Sequence, residues 1–230
     1  MKKSILSCSL LAIIFFLNLN AMAQGAKSFT GTITYSISYP PNSVAPAVAS
    51  QLPKTIEMYI SGNRSKAGAS FGPVSYTVIK NGDLQTVTTL VARDGRKIAM
   101  TKSREQVAAE VAASKVPAIQ TLKETKSIAG QKCKAAEVNY VDKRGQAHKT
   151  NVYYSDALGT NNLNFDNQYR GIAGVPLEFE MMLKGIPMKL TAISVAPGRI
   201  SNKEFETPKD YEVMTEQEFK ALMNKAKESK

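Results

Sequence analysis

Few side chains in this chain have both the type and the spacing to do chemistry. Glu178 and Glu180 sit two apart in an alternating stretch, so they share one face of a strand. Two carboxylates so placed could act as a general acid and base, or hold a hard cation. The competing reading is a solvated strand face opposite Phe179 and Met181. Asp156, Asn161, Asn162, Asn164, Asp166 and Asn167 make an oxygen-rich stretch, but without the spacing of a calcium loop, and they read as a polar loop. Of the two cysteines, Cys8 lies near the N-terminus and Cys133 within the body of the chain; His148 is the only histidine. One His and one Cys cannot make an N/S-ligand zinc site. A nucleophilic thiol would want an activating group such as His148 beside it; a buried, inert Cys133 is the expectation. No nucleophile elbow, phosphate loop or dinucleotide fingerprint occurs. The sequence therefore predicts no catalytic, cofactor or metal residue and reads as a non-enzyme.

Nine apolar positions remain as candidates for binding. Ile33, Tyr35, Ile37 and Tyr39 alternate with Thr34, Ser36 and Ser38; Leu177, Phe179, Met181 and Leu183 alternate with Glu178, Glu180 and Met182; Met58 lies between Glu57 and Tyr59. These are the best inward-facing positions. They either pack as an ordinary core or line an apolar cavity, because a large sheet covered by only two helices leaves part of a concave face unfilled. Unbranched Met side chains suit an adaptable lining.

The elements that would position them are mostly strands. Period-two alternation runs through 29–39 and 56–60, with further strands at 74–79, 84–91, 97–101, 119–128, 133–141, 146–154, 177–183 and 188–195, and a last short one near 200–205. Asn81-Gly82, Asp94-Gly95 and Pro197-Gly198 are turn signals. Ser103 to Lys115 breaks the alternation: Ser103 and Gln106 have capping-box spacing, and Pro117 stops the helix. Thr215 and Glu218 open a C-terminal helix to about Lys227 in the same way. The count is about ten strands with one internal and one terminal helix. Without a βαβ rhythm, a large curved antiparallel sheet or open half-barrel is expected.

Met1-Lys2-Lys3, an apolar run over 5–17 and Ala21-Met22-Ala23 form the three-part pattern of a secretion signal, with cleavage expected after Ala23. The alternatives are an uncleaved anchor and a lipoprotein signal, but the run is short for a bilayer and Cys8 precedes most of it. Residues 24–230 then form one β-rich domain with no transmembrane segment, placed in the periplasm or secreted. Cleavage would leave Cys133 without a disulfide partner. The net charge is +11, and loss of Lys2 and Lys3 brings it to +9. A basic exported protein can meet an anionic envelope surface; nucleic acid is not an expected partner, and the scattered cations also read as a solubilising surface.

Five stretches carry a likeness: Phe29-Thr30-Gly31-Thr32-Ile33-Thr34-Tyr35, Tyr59-Ile60-Ser61-Gly62-Asn63-Arg64, Ile128-Ala129-Gly130-Gln131-Lys132-Cys133-Lys134-Ala135, Gly185-Ile186-Pro187-Met188-Lys189-Leu190 and Phe205-Glu206-Thr207-Pro208-Lys209-Asp210-Tyr211. On these the chain resembles a family of secreted bacterial proteins, common in Bacteroidetes, whose fold is related to the lipoprotein carriers LolA and LolB. The resemblance implies an antiparallel half-barrel over helices with an apolar concavity that in the carriers holds acyl chains. It carries no catalytic residue over. The expected function is binding or carrying an acyl chain or another apolar ligand. The alternative is an envelope interaction or scaffold protein with a solid core and a basic surface.

Overall fold

The computed structural model describes residues 28–41, 43–159, 162–183 and 185–228. The expected secretion signal over 1–23 lies outside these residues. The protein is mainly β. Twelve strands form one open sheet in the order β12-β6-β5-β4-β3-β2-β1-β11-β10-β9-β8-β7.

The N-terminal strands are β1 (Thr30–Ser38), β2 (Thr55–Ser61), β3 (Arg64–Phe71), β4 (Val74–Asn81), β5 (Thr86–Arg93) and β6 (Arg96–Lys102). A four-residue helix, α1 (Pro46–Ala49), sits between β1 and β2. From β1 to β6 each strand pairs with the next, an antiparallel meander. Alternation is visible in β1, where every buried residue is flanked by half-exposed ones. After α2 (Arg104–Ala113) come β7 (Ala118–Ile128), β8 (Gln131–Val141), β9 (Ala147–Ser155), β10 (Val175–Leu183) and β11 (Ile186–Pro197). The β11 strand returns to pair with β1 and joins the two halves.

Helix α2 forces the sheet to bend. It links β6, second from one edge, to β7 at the other edge. In a flat sheet these strands would lie roughly 48 Å apart. Ten helical residues span about 15 Å, and the few extended residues beside them add about 20 Å at most. The connection closes only if the edges curl toward each other. Both halves of the capping box form: Ser103 Oγ accepts from the Gln106 N–H at 3.3 Å, and the Ser103 N–H donates to Gln106 Oε1 at 2.8 Å. Glu110 on α2 then takes Lys102 at 2.5 Å from one side and Lys143, from the β8–β9 turn, at 3.2 Å from the other.

The polar stretch between β9 and β10 is not a solvated loop. Its described residues form neither helix nor strand, yet they lie as a strap on the sheet. Leu158 and Leu163 join the main core with Phe29, Ile33, Tyr35 and Leu177. Tyr169 and Ile172 form a second cluster with Ala136, Val138, Val152 and Tyr154. Lys80 pairs with Asp166 at 2.6 Å, Asn162 donates to the Gly82 carbonyl, and Arg170 donates to Ser114 Oγ at 3.0 Å. The strap thus ties β9 and β10 to the β4–β5 turn and to the end of α2.

Three expectations need correction. Among the described residues twelve strands form, not about ten. The strand expected near 200–205 is a single 3-10 turn, Asn202–Phe205, because Ser201 Oγ accepts from the Lys203 N–H and ends the extended run. The last strand, β12 (Glu212–Val213), pairs parallel with β6, so the sheet is not wholly antiparallel. Between them, Phe205 and Tyr211 cover Ile79, Leu90 and Ala99 on the polar side of the sheet. The Arg64 guanidinium lies 4.8 Å from the centre of the Phe205 ring. Helix α3 (Glu216–Glu228) closes the described chain, with its Thr215–Glu218 capping box formed.

Candidate apolar ligand site

Strand register decides which of the nine apolar candidates share a face. Tyr35 lies opposite Ile56 and Ala192, Ile33 opposite Met58 and Val195, and Ile37 opposite Leu190. Leu190 is in turn opposite Phe179, Met188 opposite Met181, and Ile186 opposite Leu183. Leu177 follows Phe179 by alternation, and Tyr39 stands just past the end of β1. All nine belong to, or pack against, the main core cluster.

They divide by exposure. Ile33, Tyr35 and Leu177 are 0% exposed. A side chain with no accessible surface borders no space large enough for water, so these three are packed core. Tyr35 is fixed there. Its hydroxyl donates to the Pro176 carbonyl at 2.9 Å, and its ring meets Phe179 edge-on at 5.7 Å. Burial, and then the nearby Cys133 thiol, push the Tyr35 phenol far above its ordinary range. Ile37, Tyr39, Met58, Phe179, Met181 and Leu183 are only partly buried. On three strands the gradient has one direction, and β11 departs from it, with Leu190 and Met188, opposite Ile37 and Met181, only 2% and 4% exposed. On β1 it runs from Ile33 toward Tyr39 and on β10 from Leu177 toward Leu183, while on antiparallel β2 it runs back from the fully buried Ile60 to Met58 and Ile56. One end of the apolar face is sealed and the other is partly open. At that open end the Ile37 N–H donates to the Lys54 carbonyl at 2.8 Å, and the Tyr39 hydroxyl to the Pro53 carbonyl at 2.7 Å.

The polar face carries a cleft of about 520 Å³ across β9, β10 and β11, lined by Lys149, Asn151, Tyr153, Glu178, Glu180 and Lys189, with Thr150. The solvated face expected for Glu178 is corrected here: its side chain is only 7% exposed. Lys126 reaches one carboxylate oxygen at 2.7 Å and Lys189 the other at 2.9 Å. Burial raises the Glu178 carboxyl, but the two ammonium groups outweigh it, and the net shift is downward. The lowered carboxyl makes Glu178 a weaker base than an ordinary glutamate. Lys126 comes from β7, three strands away. In a flat sheet that is roughly 14 Å, so the edge strand must curl over the polar face to make the contact. The register breaks between Pro176 and Glu178 in the β9–β10 pairing and between Thr121 and Thr125 in the β7–β8 pairing. The one sequence signal was Pro176 itself, since proline inside a strand marks an edge or a bulge.

Glu180 is exposed, and Thr150 donates to its Oε2 at 3.1 Å. Cys133 is buried and free, its thiol pushed up by burial. His148 stacks on Tyr140 and bonds Asp142 at 2.9 Å. Among the described residues, no group of three or more His, Cys, Asp and Glu could hold a metal ion, and no helix is long and apolar enough to cross a membrane. No family model matches the chain, and no curated protein matches it.

Proposed function

We propose that the protein is a non-enzymatic binder or carrier of an acyl chain or another apolar ligand, working in the periplasm or after secretion once the leader is cut after Ala23. The ligand lies on the open end of the apolar face, against Ile37, Tyr39, Met58, Phe179, Met181 and Leu183. The observation that carries this reading is the one-way exposure gradient on β1, β2 and β10. Partly exposed apolar side chains on these three strands flank the buried Met188 and Leu190 of β11 and lie beyond the sealed base of Ile33, Tyr35 and Leu177. Met58 and Met181 give that surface the freedom to fit more than one chain shape. The bent open sheet agrees with the half-barrel of LolA-like carriers, an analogy of fold that assigns no residue.

A second reading, an envelope interaction or scaffold protein with a basic surface, draws support from Ile33, Tyr35 and Leu177, where the face is filled by the protein's own side chains. Native mass spectrometry of mature protein purified without detergent, followed by lipid extraction, separates the two. The carrier reading expects a discrete extra mass that extracts as a lipid. Met181→Lys should lower its occupancy roughly tenfold. Met182→Lys, on the opposite face and already exposed, should leave it unchanged. A clean mass that stays unchanged after incubation with a lipid extract supports the scaffold reading instead.

A further inference from the structure

The cleft on the polar face stands on different residues from the apolar strip, and its groups answer a different kind of ligand. Its charges already balance within the protein. Among its lining residues Lys149 and Lys189 stand against Glu178 and Glu180, while Lys126 bonds Glu178 at 2.7 Å and Lys149 bonds Glu137 at 2.7 Å. A charged ligand would have to break into a network already compensated, part of it around a nearly buried carboxylate, and would gain little from it.

Hydrogen-bonding capacity, by contrast, is left over in both senses. Lys149 and Lys189 each have three N–H donors and hold one carboxylate apiece, Glu137 and Glu178. Glu180 Oε2 accepts from Thr150, leaving Oε1 to accept from elsewhere. The Asn151 amide offers a donor and an acceptor side by side on an exposed position of β9. Tyr153 lines the cleft with one ring face under the Lys126 ammonium, 5.0 Å from the ring centre, and its hydroxyl donates to Glu124 at 2.8 Å. The volume falls within the span of small-molecule sites, roughly 300–1,000 Å³.

We infer that this cleft binds a neutral saccharide. A sugar ring carries no net charge, presents hydroxyls that both donate and accept, and offers C–H faces to an aromatic wall, which is the complement of a neutral lining rich in donors and acceptors. Asn151, Glu180, Lys149 and Lys189 take hydroxyls, and Tyr153 takes the ring. The Glu178 carboxylate and Lys126 form the rigid floor and touch no sugar. The inference is independent of the apolar-ligand reading, and either can fail alone.

The test is amide NMR titration of the mature protein with maltotriose, cellotriose, tri-N-acetylchitotriose and the acidic trigalacturonate. At least one neutral sugar should shift the amides of Asn151, Tyr153 and Glu180, with an affinity indifferent to added salt. Asn151→Ala, an exposed site that keeps the fold, should weaken it about tenfold. The inference is overturned if no neutral sugar moves these amides, if Asn151→Ala leaves the affinity unchanged, or if only the acidic sugar binds and salt removes it. The last result would make the cleft an anion site.

Discussion

The Tyr35 hydroxyl and the Glu178 carboxylate are two polar groups the core cannot do without, and each has a partner from a distant strand. Removing the hydroxyl in Tyr35→Phe leaves the Pro176 carbonyl without its donor, and chemical denaturation should show a loss of about 1–2 kcal/mol. Glu178→Gln should cost about 1–3 kcal/mol at neutral pH, because two ammonium groups lose the charge they share. The pH dependence has a definite sign. The folded carboxyl titrates below its unfolded value of about 4.3, so its contribution is complete above that pH and is lost as the pH falls through the lower folded value. The gap between wild type and Glu178→Gln should therefore be wide at pH 7 and shrink in acid, when both are unfolded in urea across a pH series. A gap that stays constant would mean the ion cluster contributes nothing through its charge. Neither group was legible as structural from sequence. Tyr35 was one member of an apolar stripe, and Glu178 belonged to what looked like a solvated face. Their partners, Pro176, Lys126 and Lys189, are brought near only by the sheet's register and bend.

Strands and helix starts were legible because their signals are local. The alternation of Ile33, Tyr35 and Ile37, and the Ser103–Gln106 and Thr215–Glu218 boxes, each need only neighbours in the chain. The strap was not legible. Its Asn and Asp residues suggest a loop, while its anchors, Leu158, Leu163, Tyr169 and Ile172, are too widely spaced to show a period. Its fastening is testable. Asp166→Ala removes the partner of Lys80, a pair only about one-fifth exposed on either side. It should speed hydrogen exchange through the strap and its contacts on β9 and β10 while leaving β4–β6 unchanged. The strap's exit is stiffer. Gly174 has φ +138°, and a Cβ there would lie 2.5 Å from the Ser155 carbonyl oxygen. Gly174→Ala should cost a few kcal/mol, roughly 2 or more, in a thermal melt, through both the backbone conformation and the clash.

At the scale of the whole molecule, what no local pattern encodes is the order of the strands. Nine of the eleven strand pairings join strands that follow one another in sequence. The pairing of β1 with β11 and the parallel addition of β12 do not. The β1–β11 pairing has a consequence in time. The Ser36 hydroxyl donates to the carbonyl of Thr191, 155 residues further along the chain. Closing so long a loop costs conformational entropy before any contact repays it, and chains dominated by such distant pairings fold in milliseconds to seconds. The β2–β6 meander, whose partners are adjacent in sequence, should gain protection first in pulse-labelled hydrogen exchange, with β1 and β11 appearing together and last. Simultaneous protection of all strands would mean that β1–β11 closure is not the late step. If it is the late step, the growing chain can form the β2–β6 meander early but cannot join its two halves until β11, through Pro197, is free of the ribosome.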